Sequence, residues 1–456
     1  MNLIQSINPF TDQLLKEFVP LNLKEAKKQV TQAQNAFEAW KETPLAQRAA
    51  LMKKAGEQLR NQKQHYARLI SLEMGKVIKE SLAEIEKCAW VCDYYADHAE
   101  SFLQDEPISL PDDKKAKVIY QPLGVILAVM PWNFPFWQVF RFAAPTLMAG
   151  NAGLLKHASN VPQCALAIQE VFDKAGFPEG LFQSLLINSQ VTLSLIQEPQ
   201  IRAVSLTGSE GAGRAIAAAA GKGLKKTLLE LGGSDPFVVF ADADIDQAVE
   251  TAVKARMINF GQSCIAAKRF LIEKPAYKQF VDRFQERLSQ LKEGDPLDEN
   301  SDFACMARPD LAKELFDQVK KTRLLGGKIP FGGEKPEQGS PFFKPTIITD
   351  IPKNSPAFQE EMFGPVASFF SFQSEEEAAQ IANATDFGLG SSVWTKDSDR
   401  AERMSRSIES GAVFINSMVA SHPWLPFGGI KNSGYGRELS RQGILEFVNT
   451  KTVYLG

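Results

Sequence analysis

The sequence predicts an α/β fold of two doubly wound lobes with a small β extension, on three observations. From residue 124 onward, short apolar runs alternate with helical segments, the pattern of parallel strands with helices on both faces of a sheet. The alternation restarts after Gly233, so a second lobe is needed. A β-favouring stretch at 446–455 lies far from either lobe's pattern. The chain has 456 residues, room for about three domains at ~150 residues each. Cores of that size need no disulfide or metal staple.

The elements follow in order. Residues 23 to about 102 carry apolar side chains on a helical period, through Val30, Leu51, Leu59, Leu69 and Ile85. Residues 112–122 read as a polar link entering a strand. Strands are then expected at 124–130, 152–156, 182–187, 203–207 and 226–231, and helices at 136–148, 162–174 and 211–220. The second lobe begins with strand 237–240, helix 245–258, strand 270–272 and helix 276–291. The boundary is placed at Gly232-Gly233-Ser234. The first lobe takes residues 1–106 and 123–232, the second 233–428. Segments 107–122 and 429–456 form the extension, with the terminal stretch expected to pair with 117–120. No internal repeat or low-complexity segment is present.

Composition narrows the function classes. With 51 basic and 54 acidic residues, the net charge of −3 favours neither nucleic acid nor an anionic membrane. No apolar run reaches the length of a spanning helix, and the N-terminus lacks the pattern of a signal peptide. A cytoplasmic protein is expected. Five scattered cysteines (Cys88, Cys92, Cys164, Cys264, Cys305) do not form a disulfide framework. Four histidines without ligand spacing point to no metal.

Single residues each carry a plain and a chemical reading. Cys264 ends the run Asn-Phe-Gly-Gln-Ser-Cys at 259–264, just beyond a predicted helix; Gly261 and Ser263 permit close backbone approach. It is a buried hydrophobe or a reactive thiol. Glu230 ends an apolar strand and is either structurally paired or a general base with a raised pKa. Asn133 is a turn or N-cap residue ahead of Pro135, or an amide aimed at a developing oxyanion. Gly208, Ser209 and Gly213 follow a strand and open a helix, the context for a phosphate at a helix N-terminus. Their spacing departs from the usual dinucleotide fingerprint.

Five motifs appear in order: PWNFP at 131–135, ELGG at 230–233, GQSC at 261–264, EMFGP at 361–365 and PFGG at 426–429. Together they resemble the aldehyde dehydrogenase superfamily over nearly the whole chain. More narrowly, PWNFPFWQVFR and CIAAKRF look like the short bacterial succinate-semialdehyde dehydrogenases. The resemblance implies Cys264 as nucleophile, Asn133 with the Cys264 N–H as oxyanion donors, and Glu230 as the base for deacylation. It implies Lys156 and Glu361 at the cofactor riboses, with Phe363 beside Glu361. Gly208, Ser209 and Gly213 match the pyrophosphate turn, and Trp132 lines the cofactor's inner end. The first lobe would then bind NAD(P), the second would be catalytic, and the extension would serve a homodimer or homotetramer.

Ser159 stands three residues past Lys156, where NAD-preferring relatives often carry a glutamate; a hydroxyl there accepts NADP without excluding NAD. The expected partner is a small aldehyde, with succinate semialdehyde first and glutarate semialdehyde next. Gln138 and Arg141 would sit on one helix face started by Pro135, Arg141 clamping the substrate carboxylate or, on the plain reading, forming a structural ion pair. Phe134, Trp137 and Phe427 would supply apolar walls, and Ser421 a hydroxyl. A cysteine-dependent thioester hydrolase is the alternative from another class; it would need neither Lys156 nor Glu361.

Overall fold

The computed structural model describes residues 3–111 and 114–455. Residues 112 and 113, within the expected polar link, and Met1-Asn2 of the expected leaderless N-terminus lie outside the described residues.

The predicted alternation folds into two separate sheets. The first has six strands, in the order Gly434–Tyr435, Lys226–Glu230, Ile201–Thr207, Val125–Met130, Ala152–His157 and Phe182–Ser184. The five that belong to residues 125–230 are all parallel. They are buried on both faces and accordingly read as continuous apolar runs. The helices Trp137–Met148, Pro162–Ala175 and Glu210–Lys222 pack against this sheet. The second sheet has seven strands centred on Arg269–Glu273, flanked by Pro236–Val239 and Val366–Phe372. It is parallel except for the edge strand Lys328–Phe331. The chain passes from one sheet to the other between Glu230 and Pro236. Cys264 lies just ahead of the second sheet's central strand, so the crossover glycines and the nucleophile candidate meet at one junction.

The helical N-terminal region resolves into Leu23–Trp40, Leu45–Asn61, Lys63–Met74 and Ile78–Leu103. Asn22 caps the first with a reciprocal Glu25 capping box. An antiparallel hairpin, Ile4–Asn8 with Gln13–Phe18, precedes them. The sequence reading missed it because only Ser6 and Asn8 of its strands are buried, so no alternation of apolar residues marks it. The terminal strand Val448–Leu455 pairs antiparallel with Lys115–Pro122 as expected, Val453 opposite Lys117 and Thr450 opposite Tyr120. The rest of 429–456 does not run with this sheet. Ile430–Lys431 pairs with Phe387–Gly388, and Gly434–Tyr435 adds an edge to the first sheet beside Leu229 and Glu230.

Helix Glu210–Lys222 is seated closely on its sheet. A Cβ at Gly213 would stand 2.7 Å from Leu231 Cδ2, so a larger residue fits only if the Leu231 side chain or the helix start moves. Gly213→Val should lower the urea midpoint by an overpacking cost of about 1–3 kcal/mol. Adding Leu231→Ala should return part of that loss; a midpoint unmoved by Gly213→Val would show the helix is free to shift.

Candidate active site

The nucleophile loop is built on unusual backbone. Asn259, Phe260 and Gly261 adopt φ of 50°, 54° and 74° in succession, conformations that cost free energy for the two non-glycine residues. A Cβ at Gly261 would come within 2.3 Å of the Gly364 carbonyl oxygen, so glycine is required for the approach the sequence anticipated. Tertiary bonds hold this turn. Both Glu80 carboxylate oxygens accept from the Asn259 N–H at 3.2 and 3.0 Å. The Asn259 side-chain amide donates to the Asn133 carbonyl at 2.7 Å and to the Gln262 carbonyl at 3.0 Å. Burial pushes the Glu80 carboxyl up to about 7, against the pull of Lys76.

Asn133 is thereby fixed opposite the loop. Its side-chain N–H donates to the Gln262 carbonyl at 3.0 Å, which leaves the second N–H of the amide for a ligand. The N-cap reading is corrected: the helix starts at Trp137 with Phe136 as its cap residue, two positions beyond Pro135. The cap is supplied from elsewhere. Glu84, on helix Ile78–Leu103, accepts from the Phe136 and Trp137 N–H groups at 2.9 and 3.0 Å while it ion-pairs with the buried Lys76. An anion at a helix N-terminus is favourable, and this one anchors the segment that carries Asn133.

Cys264 is the only cysteine of the five that is not fully buried. It lines a cavity of about 510 Å³ together with Trp132, Asn133, Gln138, Lys156, Gly208, Ser209, Glu361 and Phe363. Trp132 and Phe363 meet edge to face, with ring centroids 6.0 Å apart. Lys156, at the end of strand Ala152–His157, makes no ion pair among the described residues, and burial lowers its ammonium pKa. Ser209 caps helix Glu210–Lys222 by accepting from the Ala212 N–H at 3.3 Å, and the Gly208 N–H donates to the Glu230 carbonyl. Ser159 is exposed, two residues beyond that strand end.

These donors fit a dinucleotide. The cavity offers an uncommitted ammonium for ribose hydroxyls, a helix N-terminus for a diphosphate, and a carboxylate, Glu361, near the nucleophile for a second ribose. Glu361 is set by Lys268, which the sequence reading quoted within a motif but gave no role. The Lys268 ammonium is fully buried and donates to the carbonyls of Ser263, Cys264 and Ala266 at 2.9, 2.6 and 3.2 Å. It also pairs with Glu361 at 3.2 Å.

Glu230 and Phe427 do not line this cavity and lie near Arg141. Glu230 is buried against Gly428, with neither carboxylate oxygen hydrogen-bonded. Burial holds its carboxyl well above the usual range; the negative charge of Glu438 adds to the rise, and Arg141 opposes it. Arg141 meets several groups of the protein. Its guanidinium pairs with Glu438, lies 4.6 Å from the Phe427 ring centroid and donates to Thr207 at 3.3 Å. Mutual backbone bonds between Phe427 and Glu438 place that carboxylate. Arg141 thus has a carboxylate partner 297 positions along the chain, which helix-face reasoning does not reveal. Trp137 donates its indole N–H to Ser421 at 3.0 Å. Phe134 stacks under Lys76, 3.8 Å from centroid to ammonium.

Comparison with known proteins agrees with this geometry. The model for the aldehyde dehydrogenase family matches residues 2–453. The chain belongs to the aldehyde dehydrogenase family. It is similar to a probable succinate-semialdehyde dehydrogenase [NADP(+)] of Synechocystis, 51% identical with 99% of each chain covered. A succinate-semialdehyde dehydrogenase [NADP(+)] 1 of Mycobacterium tuberculosis is 48% identical, again with 99% of each chain covered. Among solved structures, a succinic semialdehyde dehydrogenase from Streptococcus pyogenes in complex with NADP+ superposes with a TM-score of 0.97, at 37% identity and 99% coverage of both chains. The protein is thus an aldehyde dehydrogenase, an enzyme of the oxidoreductase class. No helix among the described residues is long and apolar enough to cross a membrane, and no group of His, Cys, Asp and Glu there forms a metal site.

In the ligand-free site burial pushes the Cys264 thiol up to about 12, with Arg141 and Lys268 pulling it down. Since the thiolate is the reactive form, alkylation of Cys264 by iodoacetamide in ligand-free enzyme should be slow at pH 7. It should rise about tenfold per pH unit up to pH 10. A plateau near pH 8, followed by mass spectrometry of the Cys264 peptide, would show a thiolate stabilised more than this geometry provides.

Proposed function

We propose that this aldehyde dehydrogenase oxidises succinate semialdehyde to succinate and accepts NADP, with NAD as a second cofactor. One observation carries the reading: Cys264 and Asn133 share a single cavity with Lys156, Ser209 and Glu361. A thioester hydrolase needs the first two and has no use for the others. The named relatives at 47–51% identity support the substrate and cofactor.

The chain's own residues perform the following steps. Cys264 Sγ, as thiolate, adds to the aldehyde carbon and forms a C–S bond; the carbonyl oxygen becomes an oxyanion. The free Asn133 side-chain N–H and the Cys264 backbone N–H stabilise that charge as it develops. When bound, the nicotinamide supplies the acceptor for the hydride that leaves this carbon. The product on the protein is a Cys264 thioester, which is more readily hydrolysed than an amide. Glu230 takes a proton from the attacking water, and its raised pKa makes it a strong base once ionised. Lys156 and Glu361 hold the ribose hydroxyls, and Gly208, Ser209 and Gly213 the diphosphate. Trp132 and Phe363 bound the inner end. Ser159, beside the adenosine ribose, leaves room and a donor for a 2′-phosphate. Gln138, Trp137, Phe134, Ser421 and Phe427 shape the substrate recess, with Arg141 as the cation for the substrate carboxylate.

The cofactor lobe is assigned residues 1–106 and 123–232, the catalytic lobe 233–428, and the bridging extension 107–122 and 429–456. Strand Val448–Leu455 leaves Tyr454 and Leu455 about half exposed at 54% and 55%. Such an edge is covered in a homodimer or homotetramer, and the enzyme is placed in the cytoplasm.

Three variants test the assignments. Cys264→Ala should abolish turnover with succinate semialdehyde while NADP binding, read by fluorescence titration, persists; retained turnover removes the mechanism. Glu230→Gln should give a burst of one reduced cofactor per site and then a steady state slowed by about 10²–10⁴-fold, the usual size of a lost general base. A lost burst contradicts its role. Ser159→Glu should move the ratio of kcat/KM for NADP over NAD toward NAD; an unmoved ratio takes Ser159 away from the ribose.

A further inference from the structure

The nucleophile turn has a second face, turned away from the cofactor cavity. Glu80, which holds the turn there, does not line that cavity; it lines a separate cleft of about 360 Å³. Lys79, Glu250 and Lys254 are exposed around this cleft, so its mouth is open to solvent. Most of its charges are spent on one another. Lys79 pairs with Asp302 at 2.8 Å and Arg287 with Glu250 at 2.9 Å. Lys76, the other ammonium nearby, is committed to Glu84. Among the described residues no cation pairs with Glu80, and its carboxylate accepts from the Asn259 N–H alone. Glu80 and Asp302 also line a chamber of about 10 Å³ against Asn259 and Phe260, room for one water.

That single bond begins a chain of contacts that ends at the oxyanion side. Asn259 is the first of the three left-handed residues. Its side-chain amide donates to the Asn133 and Gln262 carbonyls, and the Asn133 side chain donates to the same Gln262 carbonyl. A shift of the Asn259 backbone therefore displaces the Asn133 amide, whose second N–H is free for a ligand. A peptide N–H bonds a carboxylate about twice as strongly as it bonds a neutral acceptor. Protonating Glu80 thus weakens the hold on a turn that local preference does not keep. Burial lifts the Glu80 carboxyl to about 7; Lys76 and Lys79 oppose the rise and Glu84 adds to it. The other charges that share the cleft with it are Asp302, Glu250, Lys254 and Arg287.

We propose that Glu80 is a positioning residue through which the oxyanion site responds to pH from behind: ionised, it locks the Asn259 turn and the Asn133 amide for thiolate addition, and protonated through the cleft it lets both relax. This rests on the assignment of Cys264 and Asn133 to the addition step. The proton exchanges with solvent on the far side of the turn, so a filled cofactor cavity does not block it. The ionised carboxylate is kept at a cost to the fold. A carboxyl whose pKa is raised by folding adds stability below its unfolded value, and that contribution is lost as the pH rises through about 7. Glu80 therefore serves the site best where it serves the fold least.

The test compares the full-length wild-type enzyme with Glu80→Gln, which keeps an acceptor oxygen and loses the charge. Single turnovers with succinate semialdehyde and NADP give the burst rate constant of cofactor reduction, read from about pH 5.5 to about 9. The ratio of wild type to variant cancels the ionisations common to both, Cys264 among them. It should rise from near one to about tenfold, the size of a lost charge on a hydrogen bond, with its midpoint near pH 7. Lys79→Met removes a cation beside Glu80 and should move the midpoint of the burst profile to higher pH. Urea midpoints supply a second readout: Glu80→Gln should gain stability relative to wild type as the pH rises from about 5 to about 8. A flat ratio overturns the proposal. So does a variant that is slower and less stable by the same margin at every pH, the mark of a purely structural brace. If Glu80→Gln does not fold, the shift in Lys79→Met decides, and an unmoved midpoint overturns the proposal. A wild-type enzyme without a burst overturns the underlying mechanism; a wild-type burst with a flat ratio overturns the role of Glu80 alone.

Discussion

The buried ammonium of Lys268 is the constraint on which the site depends. Three carbonyls of the nucleophile loop and the Glu361 carboxylate converge on it. The loop enters this arrangement through three consecutive left-handed residues and could not hold that shape on local preference alone. A charge so deeply buried is tolerated only with its bonds complete. Completing them fixes the Cys264 backbone and the Glu361 carboxylate relative to each other, so nucleophile and cofactor wall are set by one group.

The opposite wall depends on helix Ile78–Leu103 in the same way. Glu84 caps the helix that follows the Asn133 segment, and Glu80 holds Asn259, whose amide returns to the Asn133 carbonyl. An N-terminal helix that belongs to neither sheet thus ties the oxyanion side to the nucleophile side. Glu80 and Glu84 lie at helical spacing on one face, and both are used for position.

Electrostatics divide the labour between the two sides of Cys264. On the cofactor side, an uncommitted Lys156 and a helix N-terminus await anions and hydroxyls. Behind it, Arg141 lies among Glu438 and Glu230 and shares its charge with both. Burial and the charge of Glu438 raise the Glu230 carboxyl pKa, and Arg141 opposes that rise.

Much of this protein was legible in the sequence. Doubly buried parallel strands are continuous apolar runs, so the strands of the first sheet and the restart after Gly233 stood out. Cys264, Glu230, Asn133 and Glu361 sit in short motifs, and the family resemblance those motifs carry brings Lys156 with them. The charged groups that position them were not legible. Lys268 with Glu361, Glu84 with the Trp137 helix, and Arg141 with Glu438 join residues 93, 53 and 297 positions apart. Whether a lysine or arginine is free or neutralised depends on which carboxylate folding brings to it. Sequence periodicity reports the face a residue occupies, and only the tertiary structure decides what that face meets.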